Sequence, residues 1–218
     1  MQLDIFDTYR THKLGSSQNW ADYNNQFAVP GLLYVPDFIT QPEHDILLDT
    51  INSYTWITDL KRRVQHYGWR YNYKSRNIDY SMFLGPLPNW VQALAQRLYD
   101  KHYLPSIPDQ VIVNEYQSGQ GIANHVDCEP CFGNYISSLS LGSPCVMELI
   151  SLADKKKVEL FLEPRSLVII SGEARYKWTH GIPARRKDQI LGYTFDRKLR
   201  LSMTFRNVVL PNGTCPIG

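Results

Sequence analysis

Between Ile122 and Phe132 the chain places His125, Asp127, Cys128, Glu129 and Cys131. On a strand, residues two apart point to the same face, so His125 and Asp127 can aim an imidazole and a carboxylate at one point. A third ligand has to come from elsewhere. Of the six His, His12 lies in a polar N-terminal stretch, His44 in a helical segment, His66 in a basic segment, and His102 closes a second helix. His180 ends the strand-like run RYKWTH and is followed by Gly181. Two imidazoles and one carboxylate leave open positions and suit a non-haem Fe(II) that activates O2. The rival is zinc, since Cys128-x-x-Cys131 is a familiar half-site; Cys145 and Cys215 are isolated rather than a second pair, which makes zinc the weaker reading. An H-x-D spacing also arises by chance.

Two further patterns carry chemistry. In LRLSMTFRN (199–207) the side chains alternate, with Arg200, Ser202, Thr204 and Arg206 on one face and Leu201, Met203 and Phe205 on the other. The apolar set suits a core. Two guanidiniums on a cleft side are costly without anions, and a dicarboxylate supplies them in the geometry that arginine grips. Asn114 and Tyr116 offer an amide and a phenol at the same spacing; ordinary surface ion pairs are the alternative for the arginines. The second pattern, residues 67–73, sets Tyr67, Trp69, Tyr71 and Tyr73 against Arg70 and Lys74. Aromatics stack on bases while basic side chains track phosphates, the arrangement of single-strand binding. The competing reading is a strand whose aromatic face joins the core, and both hold if only part of that face is exposed.

The elements that must position these residues read as mainly β with helices placed first. Residues 1–27 are polar and aperiodic, expected as an arm before a single domain over 28–218. PGLLYVPDFIT (30–40) reads as a short buried strand. Thr40-Gln-Pro-Glu43 is a capping box, with Ile46, Leu47 and Ile51 on one apolar face. A second helix starts near Pro88, with Val91, Leu94 and Leu98 on one stripe. After residue 110 short apolar runs alternate with Gly, Pro and Asn turns, the spacing of a β-sandwich or barrel. At 218 residues the chain is long enough for a sizeable core. It shows no run of 18 apolar residues, and its N-terminus lacks the apolar stretch of a secretion signal. An intracellular monomer, cytoplasmic or nuclear, with reduced thiols and no membrane attachment, is the expectation. Residues 61–76 hold six Lys or Arg and no acid, which fits a polyanion or a basic solvated face.

The ordered set N-E-Y (114–116), H-V-D (125–127), S-L-S-L-G-S (138–143), R-S-L-V-I-I-S-G-E-A-R-Y-K-W-T-H-G-I (165–182) and R-L-S-M-T-F-R (200–206) resembles the AlkB family of Fe(II)/2-oxoglutarate dioxygenases over about residues 28–208. The resemblance implies a double-stranded β-helix (jelly roll) core over about 110–208, buttressed by the N-terminal helices, and a nucleotide-recognition lid over about 61–80. It implies iron ligation by His125, Asp127 and His180. Arg200 and Tyr116 would meet the distal carboxylate of 2-oxoglutarate, with Asn114 and Arg206 nearer the metal. Family members often carry Asn where this chain has Ser202, which leaves that cofactor-binding position unassigned. The implied reaction consumes O2, converts 2-oxoglutarate to succinate and hydroxylates a substrate C–H bond; on an N-methyl carbon it ends in release of formaldehyde.

Substrate cues conflict. The 165–182 and 200–206 segments are most similar to a family branch that hydroxylates a modified wobble uridine in tRNA, whose RNA-recognition and methyltransferase domains have no room in 218 residues. Glu129 matches an acid that, in base-repair members, accepts a hydrogen bond from the amino group of adenine or cytosine. Its other reading is a solvent-facing turn residue. The leading expectation is therefore oxidative demethylation of N-alkylated adenine or cytosine in DNA or RNA, on an unpaired or flipped base, with Tyr67, Trp69, Arg70, Tyr71 and Glu129 as substrate contacts. Hydroxylation of the wobble uridine is the alternative. A protein-directed oxygenase or a non-catalytic metal-binding jelly roll ranks behind both.

Overall fold

The computed structural model describes residues 20–210, and Trp20 by its backbone only. His12 and Cys215 lie outside the described residues. The elements in chain order are α1 (Trp20–Asn25), β1 (Leu32–Val35), α2 (Gln41–Ser53), β2 (Val64–Tyr67), a 3-10 turn (Tyr80–Met82), α3 (Asn89–Asp100), β3 (Gln110–Tyr116), β4 (Ile122–His125), β5 (Ile136–Gly142), β6 (Cys145–Ser151), β7 (Lys157–Leu162), β8 (Leu167–Ile170), α4 (Gly172–Tyr176), β9 (Trp178–Ile182), β10 (Lys187–Ile190), β11 (Tyr193–Asp196) and β12 (Arg200–Arg206).

A six-stranded sheet in the order β1-β8-β5-β12-β3-β2 faces a four-stranded sheet in the order β4-β9-β6-β7, and β10-β11 form a separate hairpin. Every strand pair is antiparallel. The result is the sandwich that the strand spacing implied, with the jelly-roll core that the family resemblance implied. One apolar cluster fills the space between the sheets, with Leu149, Leu160 and Leu162 fully buried. A second lies behind the larger sheet, where α2 and α3 deliver Leu47, Ile51, Val91, Leu94 and Leu98 onto Leu201, Met203 and Phe205. This is the helical buttress.

The capping box forms at α2: Thr40 accepts from the Glu43 N–H and the Glu43 carboxylate accepts from the Thr40 N–H. The buried stripe of that helix is His44, Leu47 and Ile51; Ile46, expected inward, is 64 % exposed. A helix turns about 100° per residue, so Ile46 and Leu47 cannot share a narrow face. His44 takes the inward place because its Nε2 accepts the Gly142 N–H at 3.0 Å.

Three other expectations change. Residues 20–25, read as part of an arm, form α1, which is tied down by Asn24: its side chain donates to the Phe161 carbonyl and accepts from the Phe161 N–H. Arg175 and Tyr176, read as strand, belong to α4. Cys128 and Cys131, read as separate reduced thiols, are joined by a disulfide. The tight turn after Asp127, in which the Cys131 and Phe132 N–H groups both donate to the Cys128 carbonyl, brings their Cα atoms to 5.2 Å.

Thr40→Ala is expected to lower unfolding free energy in urea by about 1 kcal/mol, the usual cost of losing a cap. The Glu43 carboxyl is lowered to about 2, first by its bond to Arg97 and then by the Thr40 N–H, so its contribution is full above the ordinary carboxylate range and is lost as pH falls from there through about 2. Chemical denaturation of Glu43→Gln should therefore show a deficit at pH 7 that shrinks as pH approaches about 2.

Candidate active site

Strand β4 ends at His125, and the β4–β9 register shifts between Ile122 and His125. Asp127 thus lies beyond the strand, and same-face alternation is not what gathers the three residues. Cross-strand pairing does it: His125 sits opposite His180, with ring centroids 4.5 Å apart, and the turn after His125 swings Asp127 in from one side. One ligand atom from each of His125, Asp127 and His180 lies within 4.8 Å of the others, and this is the one such group among the described residues.

Each side chain is held in a usable state. His125 Nδ1 is 2.8 Å from the Ala123 carbonyl, which orients the ring and leaves Nε2 free. Asp127 Oδ1 accepts from Arg206 Nη2 at 2.7 Å, while Oδ2 is buried and has no hydrogen-bond partner. Burial pushes the Asp127 carboxyl up, but Arg206, then His180, His125 and Arg175, outweigh it and keep the carboxyl well below its ordinary value. Burial lowers the His180 ring to about 4, against the pull of Asp127. At neutral pH the site therefore offers a carboxylate and a neutral imidazole, the forms that ligate metals.

The larger sheet supplies the facing wall. Its β12–β3 register sets Arg200 opposite Tyr116 and Ser202 opposite Asn114. All four are buried, and the Arg200 guanidinium lies 5.6 Å from the Tyr116 ring centroid. Arg200 Nη2 donates to Ser140 Oγ at 2.9 Å, but its Nε and Nη1 have no partner, nor do Nε and Nη1 of Arg206. Asn114, Tyr116, Arg200, Ser202 and Arg206 border one cavity of about 520 Å³ together with His125, Asp127 and His180. Buried, unpartnered donors of two guanidiniums beside an open carboxylate oxygen are the complement of a divalent cation plus a dicarboxylate. Iron(II) and 2-oxoglutarate fit these residues.

The expected substrate contacts divide. Tyr71 lines the cavity, together with Tyr73 and Arg76. Tyr67 does not: it packs on the helix side, against Trp90 at 5.3 Å. Trp69 is 3 % exposed and packs on Phe83. The one-faced aromatic stripe fails because Gly68 takes φ +75° and breaks the alternation after β2; a side chain there would strike the Asp109 carbonyl. Arg70 and Glu129 are exposed and outside the cavity lining. Glu129 lies at the surface of the turn after Asp127.

Some contributors carried no clear sequence signal. Arg175, 1 % exposed on short α4, donates to the Asp127 carbonyl at 3.1 Å and braces the loop that carries that aspartate. Ser140 orients Arg200 from the neighbouring strand. Arg62 lines the cavity through a contact with Asn114.

Residues 31–206 match the 2OG-Fe(II) oxygenase superfamily, and the chain belongs to that family. Within it the similarity runs to AlkB homologues. The chain is 38 % identical over 208 residues to the "Alkylated DNA repair protein ALKBH8 homolog" of Arabidopsis thaliana, covering 85 % of this chain and 60 % of that protein. It is 36 % identical over 214 residues to the "tRNA (carboxymethyluridine(34)-5-O)-methyltransferase ALKBH8" of Macaca fascicularis, covering 87 % of this chain but 32 % of that protein. The solved structure of OsALKBH1 superposes with a TM-score of 0.59 at 19 % identity, covering 84 % of this chain and 99 % of that one, a likeness of fold. The chain thus carries the domain of a 2OG-Fe(II) oxygenase by family, and it spans 60 % of the Arabidopsis relative and 32 % of the macaque one. No helix among the described residues is long and apolar enough to cross a membrane.

Replacing His125 by Ala should reduce Mn(II) affinity, read by electron paramagnetic resonance, by more than the roughly 10–100-fold that loss of a supporting contact costs, with the far-UV spectrum unchanged. Trp69→Ala should behave as a core truncation and lower unfolding free energy by about 3–5 kcal/mol.

Proposed function

We propose that the protein oxidises an alkyl substituent on a nucleobase, with His125, Asp127 and His180 as metal ligands and with Arg200, Arg206, Asn114, Tyr116 and Ser202 forming the 2-oxoglutarate wall. The single observation that carries this reading is the shared cavity: an Asp127 Oδ2 that accepts no hydrogen bond and lies 3.5 Å from His180 Nε2, and four guanidinium nitrogens without an acceptor, border one space between the sheets. Iron(II) and 2-oxoglutarate, when bound, supply an O2-dependent oxidation of a substrate C–H bond.

The chain's own part is positioning and exclusion. Arg206 orients Asp127 through Oδ1 and leaves Oδ2 for the metal, while the Ala123 carbonyl fixes which His125 nitrogen faces inward. Arg200, backed by Ser140, holds a carboxylate away from the metal and so sets the orientation of the co-substrate. Ile112, Ile136, Met147 and Val168 wall the cavity with apolar surface that limits water. Tyr71 and Tyr73 at its rim provide ring faces for a base.

Between the two nucleobase reactions, the lining favours a uridine-type substrate. Asp127 is the sole carboxylate in the cavity lining, and it is committed to Arg206, so no acid remains to accept from an adenine or cytosine amino group. Glu129, the candidate for that role, faces solvent. The macaque relative's name, with its tRNA uridine, points the same way. Demethylation stays as the second reading, supported by the Arabidopsis relative's name. The protein's place inside the cell and its action as a monomer belong to the same proposal.

The test is mass spectrometry of nucleosides from tRNA, methylated RNA and methylated DNA after incubation with protein, Fe(II), 2-oxoglutarate and O2. A substituted uridine that gains the mass of one oxygen supports the first reading. Loss of a methyl group from adenine or cytosine with formaldehyde supports the second. Succinate formation with every nucleoside unchanged would reject a nucleobase substrate.

A further inference from the structure

Consecutive arginines, Arg62 and Arg63, enter β2 from the basic segment and end in opposite environments. They follow neighbouring residues of β3, whose side chains alternate between faces. Arg63 meets Glu115 on the outer face, where two of its nitrogens, Nε and Nη2, donate to the two carboxylate oxygens. That guanidinium is paired with a carboxylate. Arg62 meets Asn114 on the cavity face and donates through Nε to Asn114 Oδ1 at 2.9 Å. Its guanidinium carbon lies 5.8 Å from the Tyr73 ring centroid and 6.0 Å from that of Tyr116. Among the described residues no acid pairs with it, and its terminal nitrogens have no protein acceptor.

Such an arginine is a preorganised fork. Its inner nitrogen is tethered and its guanidinium lies beside two rings, so its remaining donors need little further ordering to grip an oxyanion. The charge around it makes an oxyanion the matching ligand. Arg62, Arg76, Arg200 and Arg206 line the cavity against the single carboxylate of Asp127. An iron dication and a 2-oxoglutarate dianion cancel each other, so the loaded cavity keeps its excess of positive charge. Arg200 and Arg206 hold the unpartnered buried donors that suit the co-substrate, whereas Arg62 stands at partial exposure between the lid residue Tyr73 and the co-substrate wall.

We propose that Arg62 is a substrate-binding residue that clamps a negatively charged oxygen group delivered with the substrate, either a phosphodiester flanking the reacting base or a carboxylate carried on the base. The proposal rests on the nucleobase reading above and names the group that such a substrate presents to the rim. Arg62 thereby reads substrate charge while its Asn114 contact registers it against the co-substrate wall.

The experiment is fluorescence anisotropy with labelled single-stranded RNA and DNA 15-mers across a range of KCl, using wild type, Arg62→Gln and Arg62→Lys, together with 2-oxoglutarate titration of the Mn(II)-loaded proteins. Arg62→Gln should weaken oligonucleotide binding about five- to fiftyfold, the range of a charge-assisted hydrogen-bond pair partly screened by solvent. It should also flatten the slope of log affinity against log salt by about 0.7, the value for one lost phosphate contact on a single strand. Arg62→Lys should restore the slope but not the full affinity, and 2-oxoglutarate affinity should stay within about twofold, since the buried Arg200 and Arg206 pairs carry that contact.

Two arms separate the sources. In DNA 15-mers with one neutral methylphosphonate linkage moved along the strand, a position that weakens wild type but not Arg62→Gln assigns the clamp to a phosphodiester. A 15-mer RNA with a central 5-carboxymethyluridine that gains affinity over plain uridine only when Arg62 is present assigns it to the base carboxylate. Equal affinity and equal slope in wild type and Arg62→Gln on plain 15-mers, together with no Arg62-dependent gain from the 5-carboxymethyluridine, overturn the clamp and leave the nucleobase reading standing. Loss of 2-oxoglutarate binding in step with oligonucleotide binding also overturns it, by returning Arg62 to the co-substrate site. Wild type that binds neither RNA nor DNA overturns the nucleobase reading itself, and the clamp with it.

Discussion

Two guanidiniums and a carboxylate buried between two sheets are the constraint around which the rest of this protein is organised. Arginine cannot shed its proton to escape burial, and each desolvated ion costs several kcal/mol unless it is met by a partner. Arg206 and Asp127 meet each other, yet the donors left open on Arg200 and Arg206 exceed what the protein supplies. Strand β12 can hold these groups inward because its other face is fully buried: Leu201, Met203 and Phe205 lie under the helices at 0 % exposure. Each such side chain contributes roughly 1.5–3 kcal/mol of burial, which turning the strand over would forfeit. Apolar packing on one side of a strand thus holds the polar chemistry in place on the other.

The smaller sheet brings the remaining groups to that wall. Pairing of β4 with β9 aligns the two imidazoles, and a tight disulfide-closed turn carries Asp127 toward Arg206. Both sulfurs of that turn lie within 3.3 Å of the Arg76 carbonyl, so the loop after Asp127 and the segment around Arg76 meet at one point. Arg175 grips the same loop from below. The site is therefore braced from three directions before any ligand enters, which is the preorganisation that a ligand-binding cavity requires.

Period-two patterns were legible wherever a strand was regular. The alternation in residues 200–206 separated cavity residues from core residues correctly, and the capping box marked the start of α2. The pattern misled where one residue interrupted it. Gly68 sends Tyr67 and Trp69 into different apolar clusters, and the shift in β4 takes Asp127 off the strand that its spacing suggested. Arg62 and Arg63 look alike in sequence; their separate fates depend on which β3 neighbour each meets, a fact of register that no local pattern encodes. Arg175 was hidden for a similar reason, since a buried arginine is recognisable only once the carbonyls around it are seen.

The account stands on the claim that one cavity holds the metal and a dicarboxylate together. Calorimetric titration of 2-oxoglutarate into the protein without O2, with and without Mn(II), tests it most directly, alongside Arg200→Met. The account predicts one saturable site for 2-oxoglutarate that strengthens when Mn(II) is present and is lost in Arg200→Met while Mn(II) binding persists. Binding indifferent to the metal, or unchanged in Arg200→Met, would contradict it.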